Sequence, residues 1–227
     1  MAASGPSTGA VFFDLFGTLL SLAPLADACD RLARGRGPEV AARWRTRQLE
    51  ASWLRTAMDR WADFDVVTLD ALRDTLAEFG IEAGDDLEAI ADAFAELPLV
   101  DGAGDVVRSL RAGGLATGIL SNASSAMLDR SVPRLGLGFD HVLSVDDARQ
   151  YKPHPSVYKL AVDATGLRAE HIGFVTANGW DAAGAGAFGF RVAWLRPSQA
   201  APLPSVGAPP PVIATWAEVP AIFGVDQ

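Results

Sequence analysis

The chain has 227 residues, 49% of them apolar and 21% charged, with a net charge of −9 at pH 7. This is the composition of an ordinary globular protein with one large domain or a core carrying an inserted one, and a negative balance with no basic run argues against a nucleic-acid or anionic-membrane surface. No apolar run reaches membrane-spanning length, MAASGPSTG lacks a signal peptide's charged and apolar regions, and Cys29, the sole cysteine, rules out an internal disulfide. A cytoplasmic protein with no membrane or nucleic-acid partner is expected, with a flexible leader over residues 1–9 and a buried thiol at Cys29.

The first structured segment, VFFDLFGTLL, predicts a buried strand over residues 11–17 with Asp14 at its carboxyl end and Gly17 allowing a tight bend. Residues 25 to about 97 read as helical, closing near Leu97 and Pro98, where proline discourages continuation. Within that block, a helix from Pro38 to Trp61 carries two apolar stripes. Leu49, Trp53 and Ala57 form one; Trp44, Ala51, Leu54 and Met58 form the other, so packing on two sides is expected. Arg45 stands one turn before Leu49, at the edge of the first stripe, while Arg43, Arg47 and Glu50 lie on a polar strip. A helix arginine is ordinarily a solvated charge; alignment with apolar residues leaves a buried role open for Arg45.

The pattern then changes. A helix over 104–112 precedes the strand LATGILS, a helix to about Leu135 precedes FDHVLSV, and a helix over 155–166 precedes HIGFVTAN. A further helix begins near Asp181, FRVAWL is the next strand, residues 197–211 form a proline-rich surface connection, and VIATWAEVPAIF supplies a last short strand and helix. Alternation of this kind predicts an α/β fold, a Rossmann-like parallel sheet with helices on both faces. The first strand belongs to that set, so residues 10–21 and 98–227 are expected to form the core domain and 22–97 an inserted all-α cap domain over the strand ends.

Polar residues gather at the predicted strand ends: Asp14 and Thr18, then Ser121 and Asn122, then Lys152, then Thr176, Asn178 and Asp181. In open α/β sheets those ends face the ligand crevice. Singly, each has a dull alternative: Ser121 and Asn122 as a helix cap, Lys152 as a surface lysine, Asp181 as first-turn helix charge. Four separate strand ends each supplying a polar group is hard to produce by chance.

These four segments resemble the haloacid dehalogenase superfamily: the loop DLFGT, the loop LSN, the lysine of QYKPHP and the acidic loop VTANGWD. The pieces GRGPEVAARWRTRQLEASWLR, LSNAS, FDHVLSVDDARQYKPHPSVYKLA and NGWDAAGAGAFGFRVAW further resemble the L-2-haloacid dehalogenases over most of the chain. The resemblance implies that Asp14 attacks the halogen-bearing carbon, expels halide with inversion, and forms an ester that water hydrolyses to a D-2-hydroxy acid. An aspartate anion needs no base for that attack. It implies donors for the substrate carboxylate from Ser121, Asn122 and the amides of Leu15 and Phe16, and a halide cradle of Arg45, Asn122 and Phe64. Lys152 and Thr18 would hold Asp14, and Asp181 would activate water with support from Thr176, Asn178 and Lys152. Tyr158 matches a functionally important family tyrosine acting through that lysine. Leu49, Phe64 and Trp180 would form an apolar wall, although core packing serves Phe64 and Trp180 equally well. The implied partners are a small 2-haloacid and its halide, the implied assembly a homodimer, and no cofactor or metal is called for.

Three departures bear on substrate choice: Phe16 where the family usually has tyrosine, Thr176 where serine is common, and Thr46 in place of a longer polar residue. They are expected to reshape the pocket more than the reaction. The main rival is a magnesium-dependent phosphatase of the same fold, which needs a second aspartate at position 16 and a further carboxylate four or five residues before Asp181; this chain has Phe16, Ala177 and Thr176 there. The other rival is a non-catalytic dimeric binding protein.

Overall fold

In a computed structural model, which describes residues 7–82, 87–196 and 206–225, the strands are β1 (Ala10–Phe13), β2 (Ala116–Ser121), β3 (His141–Ser144), β4 (Ile172–Thr176), β5 (Arg191–Trp194) and β6 (Val212–Ile213). They form one parallel sheet in the order β3-β2-β1-β4-β5-β6. All four residues of β1 are fully buried, because the strand is central and covered on both faces. Phe12 and its register partner Phe174 face one way, where Phe174 meets Tyr158, while Phe13 faces the other and stacks on Trp216.

Helices α1 (Pro24–Asp30), α2 (Gly37–Ala57), α3 (Phe64–Glu78) and α4 (Leu87–Ala91), with a 3-10 turn at Asp92–Glu96, lie between β1 and β2. The core helices are α5 (Ala103–Ala112), α6 (Ser125–Ser131), α7 (Pro155–Thr165), α8 (Gly179–Phe188) and α9 (Val219–Ile222). Helix α5 packs with α9 against the sheet, and α7 packs with α8. The inserted helices grip the core at two places. On one side Asp65 of α3 accepts from Ser124 and pairs with Arg130 at 3.2 Å, and Arg130 also reaches Asp92 at 2.8 Å. On the other, the Tyr151 hydroxyl donates to the Ala62 carbonyl at 2.5 Å and its amide donates to Thr56 Oγ1 at 3.0 Å.

Several expectations need adjustment. The first strand ends at Phe13 rather than residue 17, since the chain turns at once: Leu20 N donates to Leu15 O at 2.9 Å and Gly17 takes φ +80°, a conformation cheap only for glycine. Helix α2 stops at Ala57, four residues short, and Asp59 turns the chain at φ +54°. Its second apolar stripe is packed only in part: Trp44 is buried and Ala51 half-buried, while Leu54 and Met58 are 58% and 59% exposed. The buried line is Val40, Trp44, Gln48 and Ser52 instead, half of it polar, because those polar groups find partners inside. The leader is pinned at its end, where Gly9 N donates to His171 O and Arg191 donates to Thr8 Oγ1. Residues 1–6, and 197–205 of the proline-rich connection, lie outside the described residues; positions 206–211 are exposed or half-buried. Cys29 is buried and free, and burial pushes its thiol up to about 11, which leaves it unreactive at neutral pH. Among the described residues no helix is long and apolar enough to cross a membrane.

Candidate active site

The sheet topology brings Asp14, Ser121 and Thr176 to one edge, since β1 lies between β2 and β4 and all three strands run parallel. Asp14 follows the last residue of β1, and its amide still bonds Val175 O of β4 at 3.0 Å. The two carboxylate oxygens of Asp14 have different company. Oδ2 accepts from Thr18 Oγ1 at 2.8 Å and from Asn178 Nδ2 at 2.7 Å, while among the described residues Oδ1 accepts only from Lys152 Nζ at 3.2 Å. Oδ1 therefore keeps a lone pair for chemistry, and Oδ2 sits between two donors.

Lys152 is fully buried, not a surface lysine, and its Nζ bridges Asp14 and Asp181 Oδ2, the latter at 2.9 Å. Its ammonium also lies over the Phe174 ring, 4.8 Å from the centroid. Asp181 is likewise fully buried in the first turn of α8. Burial, with the nearby Asp14 charge, raises its carboxyl to about 6 against the opposing pull of Lys152 and Tyr158. Tyr158 donates to Asp181 Oδ1 at 2.8 Å, so the expectation that it works through Lys152 is corrected: it holds Asp181. Gly184 makes this possible, because a Cβ there would fall 2.5 Å from the Tyr158 hydroxyl. Desolvation pushes the Tyr158 hydroxyl well above its ordinary value, so it stays a donor.

Thr176 braces its neighbours: its Oγ1 accepts from Asn178 N at 3.0 Å and lies 3.5 Å from Thr18 Oγ1. Ser121 does not cap α6; Ser124 does, accepting from Met127 N at 3.1 Å. Ser121 Oγ accepts from Ala123 N at 3.0 Å, and its proton has no acceptor among the described residues. Asn122 Oδ1 accepts from the Lys152 amide at 2.9 Å, whereas its Nδ2 is buried without a partner among the described residues. The amides of Leu15 and Phe16 donate to nothing among the described residues. Buried donors without acceptors are costly, and several in one place point to an anionic ligand.

From the inserted helices, Arg45 contributes its cation. Desolvation lowers its pKa to about 10, with the Asp14 and Asp181 charges pulling the other way. It remains charged at neutral pH, yet it makes no ion pair among the described residues. Phe64 is buried and stacked on Phe16 at 6.4 Å, and Phe16 meets Phe94 edge-on at 5.2 Å, so position 16 is packed among rings. Leu49 and Trp180 are half-buried. Trp180 lies against Trp53 at 5.6 Å, and both line an outer groove of about 870 Å³. Thr46 is exposed and bonds Ala42 O of its own helix, so it does not reshape the site as expected. Gln48 does not show in the apolar periodicity of α2; its signal in the sequence is the four-residue spacing from Trp44.

The arrangement joins a buried carboxylate with one free lone pair, a second carboxylate of raised pKa, and an unpaired cation with spare donors. It suits nucleophilic attack by Asp14 on an anionic substrate with an anionic leaving group.

Residues 8–189 match the family of haloacid dehalogenase-like hydrolases. The chain is 43% identical over 193 residues to the (S)-2-haloacid dehalogenase of Pseudomonas sp. (strain YL), covering 82% of each. It is 37% identical to haloacetate dehalogenase H-2 of Moraxella sp. (strain B), covering 82% of this chain and 85% of that one. Among solved structures, the L-2-haloacid dehalogenase of Xanthobacter autotrophicus with chloropropionic acid covalently bound superposes with a TM-score of 0.87 at 36% identity, covering 95% of this chain and 98% of that one.

Proposed function

The chain belongs to the haloacid dehalogenase-like hydrolases, and from that premise we propose that it hydrolyses short (S)-2-haloacids to (R)-2-hydroxy acids and halide through an ester on Asp14. The observation that carries this reading is the contrast between the two site cations. Lys152 touches both carboxylates, and Arg45 touches neither.

The substrate carboxylate takes the Ser121 hydroxyl and the free amides of Leu15 and Phe16. Asp14 Oδ1 then displaces the halogen at C2 from the opposite side, which inverts that carbon. The halide departs with the bonding pair toward Arg45 and Asn122 Nδ2, against Phe64. For the second step Asp181 takes a proton from water, whose oxygen attacks Asp14 Cγ. Charge collects on Oδ2, where Thr18 and Asn178 already donate, as in an oxyanion hole. Collapse breaks the ester bond, the hydroxy acid takes the proton from Asp181, and Asp14 keeps one oxygen from water and sheds that oxygen's remaining proton to solvent, which restores the carboxylate. Residues 22–97 act as the cap domain that excludes bulk water over this edge. The packed ring of Phe16 offers no proton shuttle for the phosphatase chemistry.

The purified protein is expected to release chloride from L-2-chloropropionate, far faster than from the D enantiomer, and to do so in EDTA. No halide from any short 2-haloacid would sink the reading. We place the enzyme in the cytoplasm as a homodimer that covers Leu54, Met58 and Val66, exposed on α2 and α3. Light scattering should return twice the 23.9 kDa chain mass; a monomer at working concentration would refute the dimer.

A further inference from the structure

We infer that Gln48 is the positioning residue for Arg45, and that its neutrality keeps the arginine's charge free for the departing halide. The inference deepens the dehalogenase reading above and rests on it. Gln48 is completely buried on α2, three residues beyond Arg45. Arg45 Nη1 donates to Gln48 Oε1 at 2.5 Å, and Gln48 Nε2 donates to Thr68 Oγ1 on α3 at 2.6 Å. A guanidinium has donors and no acceptor, so the carbonyl end of the amide must face Arg45 and the amino end must face Thr68. Thr68 is itself held, since its carbonyl accepts from Trp44 Nε1 at 2.8 Å. Trp44 stands one turn before Gln48 on the same buried line, so two rungs between α2 and α3 fix the amide that aims the arginine.

A half-buried arginine with a desolvated guanidinium, such as Arg45, is ordinarily met by a carboxylate. A glutamate would fit the space of Gln48 and reach the same nitrogen, but it would neutralise the cation in place. The amide oxygen orients without cancelling charge. Asp14, Asp181, Lys152 and Arg45 carry two negative and two positive charges, and Lys152 is already engaged by both carboxylates. A haloacid then brings one more negative charge, and the displacement moves the charge of Asp14 onto the halide, on the side of C2 opposite the attacking oxygen that Lys152 holds. Arg45 is the cation left to meet it, provided its nearest partner at position 48 stays neutral.

The test compares wild type with Gln48→Glu, Gln48→Met, Thr68→Val and Thr68→Ser on paired 2-chloro and 2-bromo substrates, with added bromide as inhibitor. For Gln48→Glu, kcat should fall about 100-fold with a much smaller change in KM, and bromide inhibition should weaken about tenfold. The chloro substrate should lose more than the bromo one, because the poorer leaving group leans harder on the cation. Gln48→Met and Thr68→Val keep the charge and lose the aim, so about a tenfold fall is expected. Thr68→Ser should retain activity, and the Thr68 pair decides the matter if the Gln48 variants fail to fold. Folded variants whose two substrates suffer equally, with bromide inhibition unchanged, would overturn the inference by showing a packing role. An inactive wild type would instead bring down the dehalogenase reading, and this inference with it.

Discussion

Replacing Asp14 with asparagine is expected to reduce halide release by at least about four orders of magnitude, because it removes the atom that forms the bond to carbon. The fold should survive, since the amide keeps the shape and can still meet Thr18. A sharper check uses wild type in heavy-oxygen water under single-turnover conditions. Water attacks Cγ of the ester, so the label must appear first in Asp14, and the first hydroxy acid released must carry ordinary oxygen. Label going directly into product would rule out the ester. The same asparagine variant tests the binding-protein alternative, because a scaffold would keep its partner after losing the carboxylate.

The second large effect belongs to Asp181. With Asp181→Asn the attack by Asp14 proceeds and the water step does not, so about one halide per site should appear, followed by arrest with a covalent adduct on Asp14. Steady multiple turnover would refute the assignment. In wild type the water step should slow as pH falls through about 6, where Asp181 gains a proton and stops acting as a base. Tyr158→Phe removes a donor that holds that pKa down, so the midpoint of the acid limb should move upward. A purely structural tyrosine would lower rates without moving the midpoint.

Stability should follow with a definite sign. The folded-state pKa of Asp181 is raised above its ordinary 3.8, so the folded state holds the proton more tightly than the unfolded chain. The protein accordingly loses stability from this group as pH rises from about 4 through about 6, and the loss is complete above that. Asparagine resembles the protonated acid, so the variant's advantage in Tm should grow between pH 5 and pH 8. A gap that shrinks over that range would contradict the burial argument.

The parallel sheet was legible because each strand is a short apolar run followed by a helix-length segment, whereas the order of its strands came only with the structure. The strand-end residues were legible for the same reason, since the period of the chain marks where each strand stops. Less visible was what polar residues do inside α2. Gln48 and Ser52 occupy buried positions that an apolar stripe would have been assigned, while Leu54 and Met58 stand in solvent. Hydrophobic periodicity records transfer free energy only, and a buried amide with both ends bonded escapes it. Tyr158 shows the same limit, because its distance along the chain from Lys152 says nothing about the approach of α7 to α8 at Gly184.

The sequence by itself determined the fold class, the family and the residue types available for attack, binding and hydrolysis, because those follow from local pattern and chemical identity. Tertiary structure alone decided how they are divided. It gave Asp14 one crowded oxygen and one freer one, tied Tyr158 to Asp181, and left Arg45 charged with an uncharged partner. Those are differences in distance and desolvation between groups far apart in the chain, and both quantities exist only once the sheet edge and the inserted helices have come together.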